Sequence, residues 1–148
     1  MLDVRIVVER LEALKKYIAE LDCYARYPLT ELVSDFVKCR AAEHSLQLAA
    51  QAVIDIALCI VEADFGLRVQ EYGAVIESLG EVGVLSVDFA RRLAPLADLR
   101  NTLVSGYRAV DPVKLYAALT EEREDLREFG RLVAEYLRRR SFERGDSQ

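Results

Sequence analysis

The 148-residue chain has no tryptophan, one histidine, one methionine, three prolines and seven glycines. Turn-forming residues are too sparse for a β-sandwich or barrel, which need a turn signal about every ten residues, and no segment alternates apolar and polar side chains. A single histidine and three scattered cysteines, Cys23, Cys39 and Cys59, with no C-x-x-C pair, exclude a recognisable zinc site and a disulfide framework and fit a reducing cytoplasm. Cys59, in an apolar run, reads as a small packed hydrophobe. Basic charge is also lacking. The net charge of −5 argues against gripping DNA or any nucleic acid by bulk electrostatics, so an RNA contact has to be local. Between residues 88 and 108, Arg91, Arg92, Arg100 and Arg108 stand against Asp88 and Asp98, a small positive excess. Finally, the start, MLDVRIVVER, has charges where a signal peptide needs an apolar core. The most apolar run, residues 46–61, carries Gln47, Gln51 and Asp55 and is shorter than the roughly 20 residues that span a bilayer. It reads as a buried helix, with no membrane association.

What is abundant is helix-forming: Leu, Ala, Glu and Arg lose little side-chain freedom in a helix. With 52% hydrophobic residues, the chain predicts one all-α domain over residues 1–140 and a polar tail over 141–148. Val4, Val7, Val8, Leu11, Leu14, Ile18 and Leu21 form one helical stripe over residues 3–22. Pro28 interrupts it. From Leu29 or Thr30 to Asp64 nothing breaks the pattern, giving a second helix of about 35 residues, long for a globular protein. Its second half is apolar on nearly every side, which calls for several neighbours or a second subunit to cover Ile54, Ile56, Leu58 and Ile60. Gly66 suits a left-handed C-cap. A short helix over 71–79 leads to a turn at Gly80 and Gly83. Ser86 caps a fourth helix that runs to Val104, bends at Pro95 and turns Phe89, Leu93, Leu96, Leu99, Leu103 and Val104 inward. Gly106 is its exit. Asp111 and Pro112 start the last helix, which ends near Arg139. The whole predicts an antiparallel bundle of four to five helices.

Complete catalytic sets are missing too. There is no phosphate-binding loop and no nucleophile elbow. His44 has no Glu-x-x-His companion and reads as a hydrogen-bonded helix histidine, and Arg123, Arg127 and Arg131 alternate with acids as a solvated face. The remaining stretch is LRNTLVSGY, residues 99–107. Arg100 and Tyr107 are two helical turns apart, so in a continuous helix they share a face and could reach a phosphate or a base.

The longer stretch LADLRNTLVSGYRAVDPVKLY resembles the signature of HepT-like proteins of the HEPN superfamily, Arg-Asn-x-Leu-Val-His-x-Tyr followed by a turn and Asp-Pro. The likeness extends through AAEHSLQLAAQAVIDIALCIV and over nearly the whole chain. The resemblance implies a homodimer whose Arg-x4-His motifs meet at the interface as a metal-independent ribonuclease, needing no cofactor. It implies a toxin paired with a minimal nucleotidyltransferase antitoxin that attaches AMP to the motif tyrosine. On this chain the arginine is Arg100, the asparagine Asn101 and the modifiable tyrosine Tyr107.

At the histidine position stands Ser105. Metal-free RNA cleavage needs a group that takes a proton from the 2′-hydroxyl or gives one to the leaving oxygen, and imidazole titrates in the useful range whereas a serine hydroxyl does not. The chain as written is therefore expected to be a weak or inactive nuclease unless the fold brings His44 into the cleft. Three accounts stay open: a natural member that kept RNA or partner binding, a toxin disarmed by a His-to-Ser change, or an enzyme with rearranged residues that uses Arg100 for charge and Tyr107 as proton donor.

Overall fold

Aspartate and serine side chains set four of the eight helix starts among the described residues. In the structure, a computed structural model that describes residues 1–105 and 111–143, Asp3 accepts from the Arg5 amide and opens α1 (Val4–Tyr24). A short α2 (Leu29–Ser34) follows directly on Pro28. The long second helix expected from the sequence is broken at Asp35, whose backbone is extended (φ −112°, ψ 98°) and whose carboxylate accepts from the amides of Val37 and Lys38. An aspartate offers first-turn amides a partner that the helix interior cannot, so α3 (Phe36–Phe65) starts afresh there. Gly66, at φ 65°, ends α3 in the expected left-handed conformation.

The next helix, α4 (Tyr72–Glu81), outruns its expected end and takes Gly80 into its last turn. Gly83, at φ 84°, makes the reversal alone. Gly80 serves packing instead: a Cβ there would lie 2.9 Å from Ala90 Cβ and 3.1 Å from Val87 Cα, on α5 (Val87–Leu93). Gly80→Ala is expected to cost about 1–3 kcal/mol as overpacking, read as a lowered urea midpoint with unchanged slope. Ser86 caps α5 as expected, accepting from the Phe89 amide at 3.1 Å. Pro95 does more than bend the helix. It has no N–H to donate, and although Ala94 before it keeps helical dihedrals (φ −53°, ψ −37°), the chain restarts as α6 (Leu96–Ser105). Within α6 Val104 points out, 47% exposed, contrary to its expected inward position. Gly106 lies outside the described residues.

Asp111 caps α7 (Pro112–Ala117), accepting from the Val113 amide. A wide π-helical turn over Ala118–Glu122, where the Thr120 hydroxyl donates to the Tyr116 carbonyl at 2.8 Å, carries the chain into α8 (Arg123–Glu143). The helix thus continues past Arg139 and takes in Ser141 to Glu143 of the expected tail; residues 144–148 lie outside the described part. The breaks at Asp35 and Pro95 and the π-helical turn raise the helix count above four to five, but the architecture is the expected all-α bundle.

Cross-links between helices give its layout. α1 runs antiparallel to α3, with Ser45 donating to Glu20 near one end and Arg10 pairing with Asp55 near the other. It is also antiparallel to α8, because Asp22 pairs with Arg123 and Arg127 while Val4 and Ser141 line one groove at the opposite end. The last turn of α8 is tied to the end of α3, where buried Asp64 accepts from Tyr136 and Arg140. Arg123 and Arg127 are therefore bridges to α1 as well as members of a solvated face. Among the described residues α3 alone is long and apolar enough to cross a membrane, yet Ile54, Ile56 and Ile60 are fully buried and Leu58 half-buried. A single chain, through α1, α4, α6 and α8, suffices to cover these residues of the second half of α3. Its apolar character therefore does not itself require a second subunit.

Candidate functional site

The motif arginine is the most constrained of the polar side chains on α6. The Arg100 Nε–H donates to Gln51 Oε1 at 2.6 Å and Nη1 donates to Asn101 Oδ1 at 3.1 Å. The guanidinium carbon lies 5.3 Å from the centre of the Tyr72 ring, within cation–π range. Gln51 in turn donates from Nε2 to Asp55 Oδ1 at 2.8 Å, and Asp55 Oδ2 meets Arg10 Nη1 at 3.3 Å. A guanidinium carries five N–H donors, so three of Arg100's have no acceptor among the described residues.

Asn101 is exposed and lines a cleft of about 800 Å³ with Tyr72, Glu77, Arg91, Pro95 and Asp98. Ser105 is exposed at the end of α6, and its hydroxyl donates to the Thr102 carbonyl at 3.0 Å. Tyr107 and Arg108 lie outside the described residues, so Arg100 and Tyr107 are not placed relative to one another. The small positive excess around the motif is dispersed. Arg92 forks onto Asp125 of α8, and Arg100 turns to α3.

His44 is exposed on α3 and makes no hydrogen bond among the described residues, unlike the bonded histidine expected. It lies seven residues before Gln51, hence on the same helical face. All three cysteines are free thiols. Burial pushes the thiols of Cys39 and Cys59 up from their ordinary value, which disfavours the nucleophilic thiolate. No three His, Cys, Asp or Glu side chains among the described residues gather into a metal-holding set. A larger groove of about 920 Å³ between α1 and α8, floored by Leu14 and Ile18, includes no motif residue.

Sequence reading missed Gln51, Asp55, Arg10 and Tyr72. The signal was present for two of them: an amide and a carboxylate one turn apart in an otherwise apolar helix, where an unbonded polar group is costly.

A family model described as Ribonuclease HepT-like matches residues 11–133. The chain is 31% identical over 133 residues to the tRNA nuclease HepT of Aphanizomenon flos-aquae, covering 89% of this chain and 90% of that protein. Among solved structures, one of a toxin–antitoxin with AMP-PNP superposes with a TM-score of 0.81 at 18% identity, over 88% of this chain and 98% of the other. The tri-AMPylated Shewanella oneidensis HEPN toxin, solved in complex with its MNT antitoxin, gives 0.80 at 19% identity over 91% and 99%. At such identities the structural likeness speaks for the fold alone.

Proposed function

The chain belongs to the Ribonuclease HepT-like family, and from that membership we propose that it is the RNase toxin subunit of a toxin–antitoxin pair whose antitoxin is a minimal nucleotidyltransferase. The observation that carries the reading is Arg100, held on its Nε edge and tip, with three N–H donors open beside exposed Asn101. Such a fork suits a phosphodiester, and the negative charge that builds on its non-bridging oxygens as the 2′-hydroxyl attacks. Attack also needs a proton taken from the 2′-hydroxyl and one given to the leaving 5′-oxygen. In this chain the position that should supply imidazole is Ser105, whose only hydroxyl hydrogen is committed to the Thr102 carbonyl. Cleavage by this chain is accordingly weak or absent.

That same bond favours a second reading, a non-catalytic helical module that binds, or is adenylylated by, a nucleotidyltransferase. In both readings two copies pair. Val104 and Val37 are exposed on α6 and α3, Val37 at 72%, and Val37 lies on the helical face that also carries His44 and Gln51.

Arg100→Ala is expected to weaken binding of a labelled single-stranded RNA about 10- to 100-fold, the worth of charge-assisted hydrogen bonds, measured by fluorescence anisotropy at fixed salt. An unchanged affinity removes the RNA reading. Co-expression with a nucleotidyltransferase encoded beside the gene is expected to add mass in multiples of one AMP at Tyr107. If the partner co-purifies without added mass, binding alone survives. Absence of both sinks the partner reading.

A further inference from the structure

We propose that Gln51 and Asp55 are positioning residues for Arg100, and that Gln51 is an amide so that Arg100 is oriented without being neutralised; the inference rests on Arg100 being the phosphate-binding group. The chain of bonds runs Arg10, Asp55, Gln51, Arg100 across three helices, α1, α3 and α6. Each link constrains the next. A carboxamide has one accepting end and one donating end, and here the Nε2 end is claimed by Asp55 Oδ1 at 2.8 Å. Turning the amide over would set an NH₂ against the Arg100 Nε–H and an oxygen against a carboxylate, a repulsion at both ends. Asp55 therefore decides that Gln51 presents oxygen to Arg100. Asp55 is itself anchored through its second oxygen by Arg10.

The result is a guanidinium fixed at three places: its Nε edge by Gln51, one face by the Tyr72 ring and one tip by Asn101. With Nε–H and one Nη1 N–H engaged, the second Nη1 N–H and both on Nη2 have no acceptor among the described residues and are left for a phosphate. Charge placement is as specific as geometry. The carboxylate in the chain, Asp55, is matched by Arg10 one step away, and the group touching Arg100 at 2.6 Å is neutral. A carboxylate at that position would hold Arg100 equally well but cancel the charge a phosphate needs.

Geometry and charge can be separated by experiment. The exchange of the Arg100 Nε–H with water, followed by ¹⁵N-resolved NMR, reports the positioning without any RNA. Gln51→Leu and Asp55→Leu are each expected to speed that exchange about tenfold, as befits a hydrogen bond lost. Gln51→Glu keeps an acceptor and is expected to leave the exchange slow. RNA affinity gives the other readout. Gln51→Leu lowers it about tenfold in the unsubstituted chain but not further in an Arg100→Ala background, the non-additivity of residues that act through one another. Gln51→Glu lowers it as much, with the Nε–H still protected, a pattern that a merely structural residue does not produce.

Thermal melting confirms that each variant is folded, and Gln51→Glu, which preserves size and polarity, covers the case in which the leucine variants are not. Unchanged Nε–H exchange in folded Gln51→Leu and Asp55→Leu overturns the relay. Full RNA affinity in Gln51→Glu overturns the charge argument. If Arg100→Ala itself binds RNA normally, the phosphate role of the site falls and the charge argument with it, and the exchange rates decide the positioning by themselves.

Discussion

Ser105→His is expected to raise RNA cleavage about 10²- to 10⁴-fold, the usual worth of a general acid or base. The position is at the C-terminal end of α6, exposed, five residues beyond Arg100, so an imidazole there is not crowded by the core. It would replace a hydroxyl that now closes on its own helix with a ring that can take or give a proton near neutral pH. The restored activity should therefore follow the titration of imidazole, turning near pH 6.5, and should vanish when Arg100→Ala is added. The comparison also judges His44. If the unsubstituted chain already cuts RNA and His44→Ala abolishes that, the proton comes from α3 and the part played by a histidine at position 105 has been filled from elsewhere. If neither chain cuts RNA under any condition that supports binding, the nuclease reading is wrong and the partner-binding module remains.

Phe129→Ala is expected to cost about 3–5 kcal/mol, the usual price of truncating a large core aromatic. Phe129 is the largest of the fully buried side chains among the described residues, and it lies on α8 next to Gly130, whose missing Cβ would stand 3.8 Å from Leu14 of α1. Surrounding structure relaxes only partly around such a void, so most of that loss is retained. Since whole domains are stable by only about 5–15 kcal/mol, the loss should appear as a fall in both thermal and denaturant midpoints. A loss under 1 kcal/mol would mean that α8 repacks freely around the missing ring.

Much of this fold could be read from short local signals. Ser86, Asp111 and Gly66 each act within their own turn, so their capping roles are visible in a few residues. Asp35 uses the same chemistry but is embedded in a sequence whose apolar spacing continues on both sides, and periodicity masked the break. Gly80 looked like a turn because nothing local reveals that α5 passes within contact of its backbone. The site divides in the same way. Arg100, Asn101 and Ser105 are contiguous and form a motif, whereas Gln51, Asp55 and Arg10 reach Arg100 only through three-dimensional packing. In the sequence Gln51 and Asp55 showed merely as polar residues that spoil a membrane span.

The double antiparallel pairing of α1 has a consequence in time. During synthesis α1 and α3 are both available to pair, and Arg10, Asp55, Gln51 and Arg100 have all been made, before α8 is complete. At roughly 5–20 residues per second, α8 follows the end of α3 by about ten seconds. Over that interval Leu14 and Ile18, which α8 later covers, stay open to water or to whatever else binds apolar surface. The relay at Arg100 can thus form on a nascent chain whose fold is not yet closed, and the last helix acts as the latch.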